Sequence, residues 1–178
     1  GGLPNPKSFP VEDLEVIIKF VLGNYSKQAL QYGATSGINE LKEAISERAN
    51  KDGIKTTPDN VIVTSGSQQA LDMIGKMFLN PGDTAIVELP SYLGGINAFR
   101  SYEANLTGVP LDKDGIKIDI LEERIKKMLK EDILPKFIYI VPTFQNPAGV
   151  VLSESRRKKL IDIANEHDLL IVEDDPYG

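Results

Sequence analysis

Residues 137–178 read FIYIVPTFQNPAGVVLSESRRKKLIDIANEHDLLIVEDDPYG. Two short apolar runs, Phe137-Ile138-Tyr139-Ile140-Val141 and Leu169-Leu170-Ile171-Val172, flank a stretch of helical period from about Ser155 to His167. β-Branched and aromatic residues fill the runs with little polar alternation, which suits strands buried on both faces of a parallel sheet. The helix opens at Ser153 and Glu154 and carries Leu160, Ile161 and Ala164 on its apolar side. Strand, helix and strand in this order make a βαβ unit, which points to an α/β class.

The same alternation continues toward the N-terminus. Val61-Ile62-Val63-Thr64 and Ala85-Ile86-Val87 read as further strands, and Ala104 to Val109 as a weaker one. Helices are expected over Val11 to Leu22, Ile38 to Lys51, Gln68 to Leu79, Leu93 to Tyr102 and Ile118 to Lys130, with Asn80-Pro81-Gly82-Asp83 closing the third. The expected fold is α/β, a three-layer αβα arrangement around a mainly parallel sheet. Residues 1–30 differ: Pro4, Pro6 and Pro10 precede one amphipathic helix and no strand, so they read as a lobe or arm outside the sheet formed within 31–178.

Composition narrows the chemistry. The 178 residues include no Cys, which excludes a disulfide framework, a zinc finger, an iron–sulfur site and a thiol nucleophile. A single histidine, His167, leaves a Ser-His-Asp triad and a multi-His metal site without enough parts. The net charge of -6 is spread along the chain and argues against a nucleic acid partner. No apolar run approaches the ~20 residues of a membrane span, and GGLPNPKSFP lacks the basic and apolar parts of an export signal, so a cytoplasmic protein is expected.

In an open α/β sheet the ligand crevice lies beyond the carboxyl ends of the strands. Three segments in that position are polar and turn-rich. Thr64-Ser65-Gly66-Ser67-Gln68-Gln69 runs directly into a helix; Gly66 permits close backbone approach, and the amides of Ser67 and Gln68 at the helix N-terminus favour an anion, although an ordinary capping turn accounts for the same residues. In Pro142-Thr143-Phe144-Gln145-Asn146-Pro147-Ala148-Gly149, Pro147 biases Asn146 toward an extended conformation, which presents its amide either to a ligand or to solvent in a surface turn. Glu173-Asp174-Asp175-Pro176-Tyr177 places acidic side chains after buried aliphatics, where desolvation demands a cation or hydrogen-bond donors. Paired carboxylates also suit Mg²⁺, but neither G-x-x-x-x-G-K-[ST] nor G-x-G-x-x-G occurs. An anion cradle, an Asn amide, a carboxylate and a tyrosine hydroxyl together fit an aromatic cofactor that carries a phosphate and a basic ring nitrogen.

These segments carry a family likeness. GGLPNP at 1–6, ALQYGATSG at 29–37, VTSGSQQALD at 63–72, NPGD at 80–83, ELPSYLG at 88–94, PTFQNPAG at 142–149 and EDDPYG at 173–178 occur in the order found in class I and II aminotransferases of the pyridoxal-phosphate-dependent fold type I. The chain most resembles the branch of archaeal aromatic, 2-aminoadipate and kynurenine aminotransferase-like enzymes. The resemblance implies pyridoxal 5'-phosphate as cofactor, with Ser67 and Gln68 at its phosphate, Tyr92 stacked on its ring, and Asn146 and Tyr177 donating to its phenolate oxygen. It implies that Asp174, three residues before Tyr177, pairs with the ring nitrogen and keeps it protonated, and that Asp175 is structural. By the same likeness Tyr32 reaches the cofactor phosphate of a neighbouring subunit, making a homodimer with shared sites, and the backbone at Gly2 lies by the substrate carboxylate. NPAG in place of the commoner NPTG, and Tyr92 where some relatives carry Trp or Phe, are the departures.

The implied activity moves an amino group between an amino acid, aromatic or 2-aminoadipate-like, and a 2-oxo acid such as 2-oxoglutarate. In the family the Schiff-base lysine and a carboxylate-binding arginine follow the DDPY segment, so both are expected beyond Gly178 and the chain is expected to be the N-terminal half of a larger enzyme, with part of its large domain and no catalytic residue. The small domain or an arm would take residues 1–30. Two alternatives share the motifs: an aminotransferase-like sensor domain of a transcriptional regulator, and another fold type I enzyme such as a lyase or synthase.

Overall fold

The computed structural model describes residues 4–177. The chain divides into two compact units, Gly1–Thr64 and Ser65–Gly178.

Among its described residues the first unit holds two α-helices, α1 (Val11–Leu30) and α2 (Asn39–Lys51), and two short 3-10 turns at Pro6–Ser8 and Pro58–Asn60. Glu12 and Asp13 lie in the first turn of α1, where carboxylates complement the helix dipole. The helix runs on past the expected end at Leu22 through Lys27, Gln28, Ala29 and Leu30, all good helix formers, with Tyr25 alone out of helical geometry. On α2, Lys42 and Ser46 are the buried residues, one turn apart. Beyond it, the Asn50 side chain donates to Thr56 O at 2.8 Å and fastens the loop to the helix.

Val61–Thr64, expected as a strand, forms none. Val63 N–H donates to Ser36 O at 3.0 Å, a contact with a turn rather than a strand, and Ile62 is exposed. A β-branched run becomes a strand only beside a partner strand, and no described strand lies alongside this one. The run packs instead on the turn at Gly37, whose φ of 98° and whose missing Cβ, which would sit 2.5 Å from Val63 Cγ2, both require glycine.

The second unit is a three-layer αβα sandwich. In chain order it comprises α3 (Ser67–Phe78), β1 (Thr84–Leu89), α4 (Leu93–Arg100), β2 (Asn105–Asp112), β3 (Gly115–Ile116), α5 (Ile118–Lys130), β4 (Phe137–Ile140), α6 (Glu154–Glu166) and β5 (Leu170–Glu173). The strand order is β3-β2-β1-β4-β5. All pairings are parallel except β2 with β3, so the sheet is mixed. The short β3 was not anticipated: Asp112 Oδ1 accepts from Asp114 N–H at 2.9 Å and Gly115 takes a positive φ, closing a tight turn that folds two residues back on β2.

Period-two alternation along the strands splits the core. Ile86, Ile138 and Ile140 join Leu121, Ile125, Leu160 and Ile163 beneath α5 and α6. Ala85, Val87, Phe137, Tyr139 and Val141 join Leu71, Ala98 and Phe99 beneath α3 and α4. Arg156 ties α6 to the β2–β3 turn with a forked pair of bonds to Asp112, at 2.6 and 2.7 Å, and further bonds to Gly115 O and Ile116 O. That hydrogen bonding, helped by the Asp114 amide, holds the Asp112 carboxyl down at about 2.

Candidate functional site

The carboxyl ends of β1, β4 and β5, with the start of α3, bring most of the sequence-derived candidates together. α3 begins at Ser67 after Gly66, which occupies the N-cap with φ 78°, a conformation closed to most L residues. The first-turn amides of an α-helix, here those of Ser67 and Gln68, have no intrahelical acceptor, and the dipole adds positive potential. Gln68 also turns its side chain across to α4, where Nε2 donates to Gly94 O at 3.1 Å. Tyr92, at the N-cap of α4, lies against the same glycine: a Cβ on Gly94 would fall 2.5 Å from Tyr92 Cε1 and 2.6 Å from Gln68 Oε1.

Asp174 follows β5, and its own N–H donates to Ile140 O at 2.9 Å, carrying the β4–β5 ladder one step further. Its Oδ2 accepts from the Tyr139 hydroxyl at 2.8 Å. Tyr139 is fully buried, and burial together with the Asp174 bond pushes its phenol well above the ordinary range, so it remains a donor. Asp175 is exposed and accepts from Thr143 Oγ1 at 3.2 Å, a contact that links the two loops, and it also borders the cleft beside α3. Between α3 and the end of β5 lies a cleft of about 250 Å³. Ser67, Ala70 and Ile74 form one wall, and Val172, Asp174 and Pro176 the other. The start of a helix and a carboxylate thus line one cleft, an arrangement suited to a ligand with a phosphate at one end and a basic nitrogen at the other.

Asn146 is half-buried in the turn after β4 and precedes Pro147 across a cis peptide bond. Tyr177 is about half exposed; its ring meets Phe144 edge-on at 6.2 Å, which places it beside the same turn. Tyr32 stands in the first unit, 99% exposed. Gly2 lies outside the described residues.

Two buried polar residues had not been singled out. Glu88, the penultimate residue of β1, and Gln145, next to Asn146, are each 2% exposed and bonded to each other at 3.1 Å. Burial pushes the Glu88 carboxyl up to about 7, against the lowering effect of the Val141 amide and the Gln145 side chain. The signal for Glu88 was in the chain: like Asp174, it is an acid at the end of an apolar strand.

Residues 10–178 match the family described as aminotransferase class I and II. The chain belongs to this family. Among curated relatives, this aminotransferase chain is 48% identical over its whole length to aromatic-amino-acid aminotransferase 1 of Thermococcus litoralis, of which it covers 43%. Among solved structures it superposes with a TM-score of 0.95 and 49% identity on kynurenine aminotransferase of Pyrococcus horikoshii, crystallised with PMP, covering all of this chain and 44% of that one. It superposes with a TM-score of 0.91 and 39% identity on the alpha-aminoadipate aminotransferase of Thermus thermophilus, complexed with N-(5'-phosphopyridoxyl)-L-leucine, covering 99% of this chain and 43% of that one. The chain therefore spans less than half the length of these relatives and corresponds to part of a fold type I large domain. Among the described residues no helix is long and apolar enough to cross a membrane, and no cluster of three His, Cys, Asp or Glu side chains is suited to a metal ion.

Proposed function

We propose that the protein to which this chain belongs is a cytoplasmic, homodimeric transaminase that moves an amino group from an aromatic or 2-aminoadipate-like amino acid to a 2-oxo acid such as 2-oxoglutarate. The observation that carries the proposal is the cleft that joins the start of α3 to Asp174. Its cofactor is pyridoxal phosphate, the group whose derivatives occupy the two superposed relatives. When bound, this cofactor supplies a ring that accepts the electrons released as the substrate's α-proton leaves.

The chain's own residues hold and tune that ring. The amides of Ser67 and Gln68 bind the phosphate, where hydrogen bonds and the α3 dipole act together. Tyr92 stacks on the ring face, and Asn146 and Tyr177 donate to its phenolate oxygen. Asp174 holds the proton on the ring nitrogen; its bond from Tyr139 occupies Oδ2 and orients the carboxylate. Tyr32 reaches the phosphate in the neighbouring subunit, the backbone at Gly2 lies by the substrate carboxylate, and residues 1–30 belong with the small domain or an arm.

The test is amino-group transfer by the full-length protein. Purified with pyridoxal phosphate, it should convert an aromatic or 2-aminoadipate donor to its 2-oxo acid beyond one equivalent per site only while an oxo-acid acceptor is present. Donor breakdown that needs no acceptor would instead assign a lyase or synthase.

A further inference from the structure

β1 and β4 are neighbours in the sheet, yet the chain leaves them in opposite directions. From β1 it crosses through α4 to β2 on one side; from β4 it crosses through α6 to β5 on the other. Loops that part in this way open the crevice in which α/β proteins bind ligands, and something must hold their tips in place.

Glu88 and Gln145 sit at this parting. Glu88 Oε2 accepts from Val141 N–H at 3.1 Å and from Gln145 Nε2 at 3.1 Å, joining the end of β1 to the end of β4. Gln145 Nε2 also donates to Pro90 O at 2.9 Å, and its Oε1 accepts from Ala148 N–H at 2.8 Å. One amide side chain therefore grips the turn after β1 and its own turn together. The gripped atoms flank Tyr92, two residues from Pro90, and Asn146, two residues from Ala148. A buried acid and amide cost desolvation that an apolar pair of equal volume would avoid, but an apolar pair has no direction and fixes neither loop.

We infer that Glu88 and Gln145 form a positioning clamp that sets the Tyr92 and Asn146 side chains against the bound cofactor. The inference rests on the reading of Tyr92 and Asn146 as cofactor contacts. It is tested on the full-length protein by titrating the apo form with pyridoxal phosphate to obtain a Kd, alongside urea unfolding of each apo variant. Misplacing contact groups by about 1 Å weakens their action steeply, so Gln145→Ala and Glu88→Ala should raise the Kd roughly tenfold or more. Glu88→Gln, whose amide oxygen can replace Oε2 and accept both bonds, should stay within about threefold of the parent. Three results overturn the clamp. The first is Gln145→Ala and Glu88→Ala both within about twofold of the parent while Tyr92→Ala and Asn146→Ala bind weakly. The second is a loss in Glu88→Ala that Glu88→Gln does not reverse. The third is a loss that disappears once Kd is corrected for the folded fraction. If Tyr92→Ala and Asn146→Ala also bind normally, the reading of the site fails with it.

Discussion

The two faces of the sheet in Ser65–Gly178 differ in kind, although they come from the same strands. Beneath α5 and α6 the buried residues are aliphatic, Met128 apart: Ile86, Val109, Ile138 and Ile140 against Leu121, Ile125, Leu160 and Ile163. Beneath α3 and α4 the core turns aromatic: Phe99 meets Phe137 at 5.0 Å and Tyr139 at 5.2 Å, both edge-on. Small residues let the helices of this face come close. A Cβ on Gly95 would fall 2.7 Å from Tyr139 Cζ, and one on Gly75 2.7 Å from Tyr102 Cδ2. The aliphatic face supplies cohesion, with Glu88, which shares the parity of Ile86 at the end of β1, as its polar exception. The aromatic face supplies cohesion and, through the Tyr139 hydroxyl, also addresses Asp174. Glu88 apart, stability and site chemistry are thus divided by the parity of a residue along its strand.

Three substitutions in the full-length protein press on this division. The largest effect should come from Asp174→Asn. On the role proposed for Asp174, turnover is expected to fall on the order of 10³-fold, because the ring nitrogen would lose the carboxylate that keeps it protonated. Urea unfolding should barely change, since the Asn oxygen can still accept from Tyr139. Near-normal turnover would reject the role given to Asp174. Ile138→Ala on the aliphatic face should do the reverse, losing about 2–5 kcal/mol of stability while kcat per folded enzyme holds, as unfolding curves and active-site-normalised kinetics would show. A large fall in kcat would break the division of labour.

The smallest effect lies at Glu88 and depends on pH. In the unfolded chain its carboxyl ionises near the ordinary 4.5, but in the folded site only near about 7. Between these values the native state binds the extra proton, so folding stability declines as pH rises through the window. Glu88→Gln should remove roughly 2–3 kcal/mol of that decline between pH 4.5 and 8, read as the difference in urea midpoints at the two ends. An unchanged slope would mean that Glu88 is not desolvated as its burial indicates.

Much of this was legible beforehand, for reasons that particular residues make clear. α5 begins and ends at Ile118 and Lys130 as its period predicts, and the runs at Phe137 and Leu170 pair as parallel neighbours. Local pattern suffices where a segment buries one stripe or alternates across a sheet. It fails for Val61–Thr64, which has strand composition but no partner strand among the described residues, and for Gly115–Ile116, which has a partner strand but no composition. Of the candidates, Asp174 follows an apolar run that is a strand of the sheet, where an α/β sheet opens, whereas Ser67 and Gln68 follow Val61–Thr64, which is no strand, and stand beside Asp174 only as the start of α3. Gln145 offered no such sign, since a glutamine in a turn reads as solvated until its surroundings are known.

By itself, then, the sequence determined the class, most elements, and a set of polar segments at the strand ends that resembles the aminotransferases. These are properties of neighbours along the chain. Tertiary structure decided which polar residues lose their water: Glu88 against Gln145, and Tyr139 against Asp174, separated by 57 and 35 positions. Burial of a charge or an amide is a property of what packs around it, and only the folded sheet brings those partners within hydrogen-bonding distance.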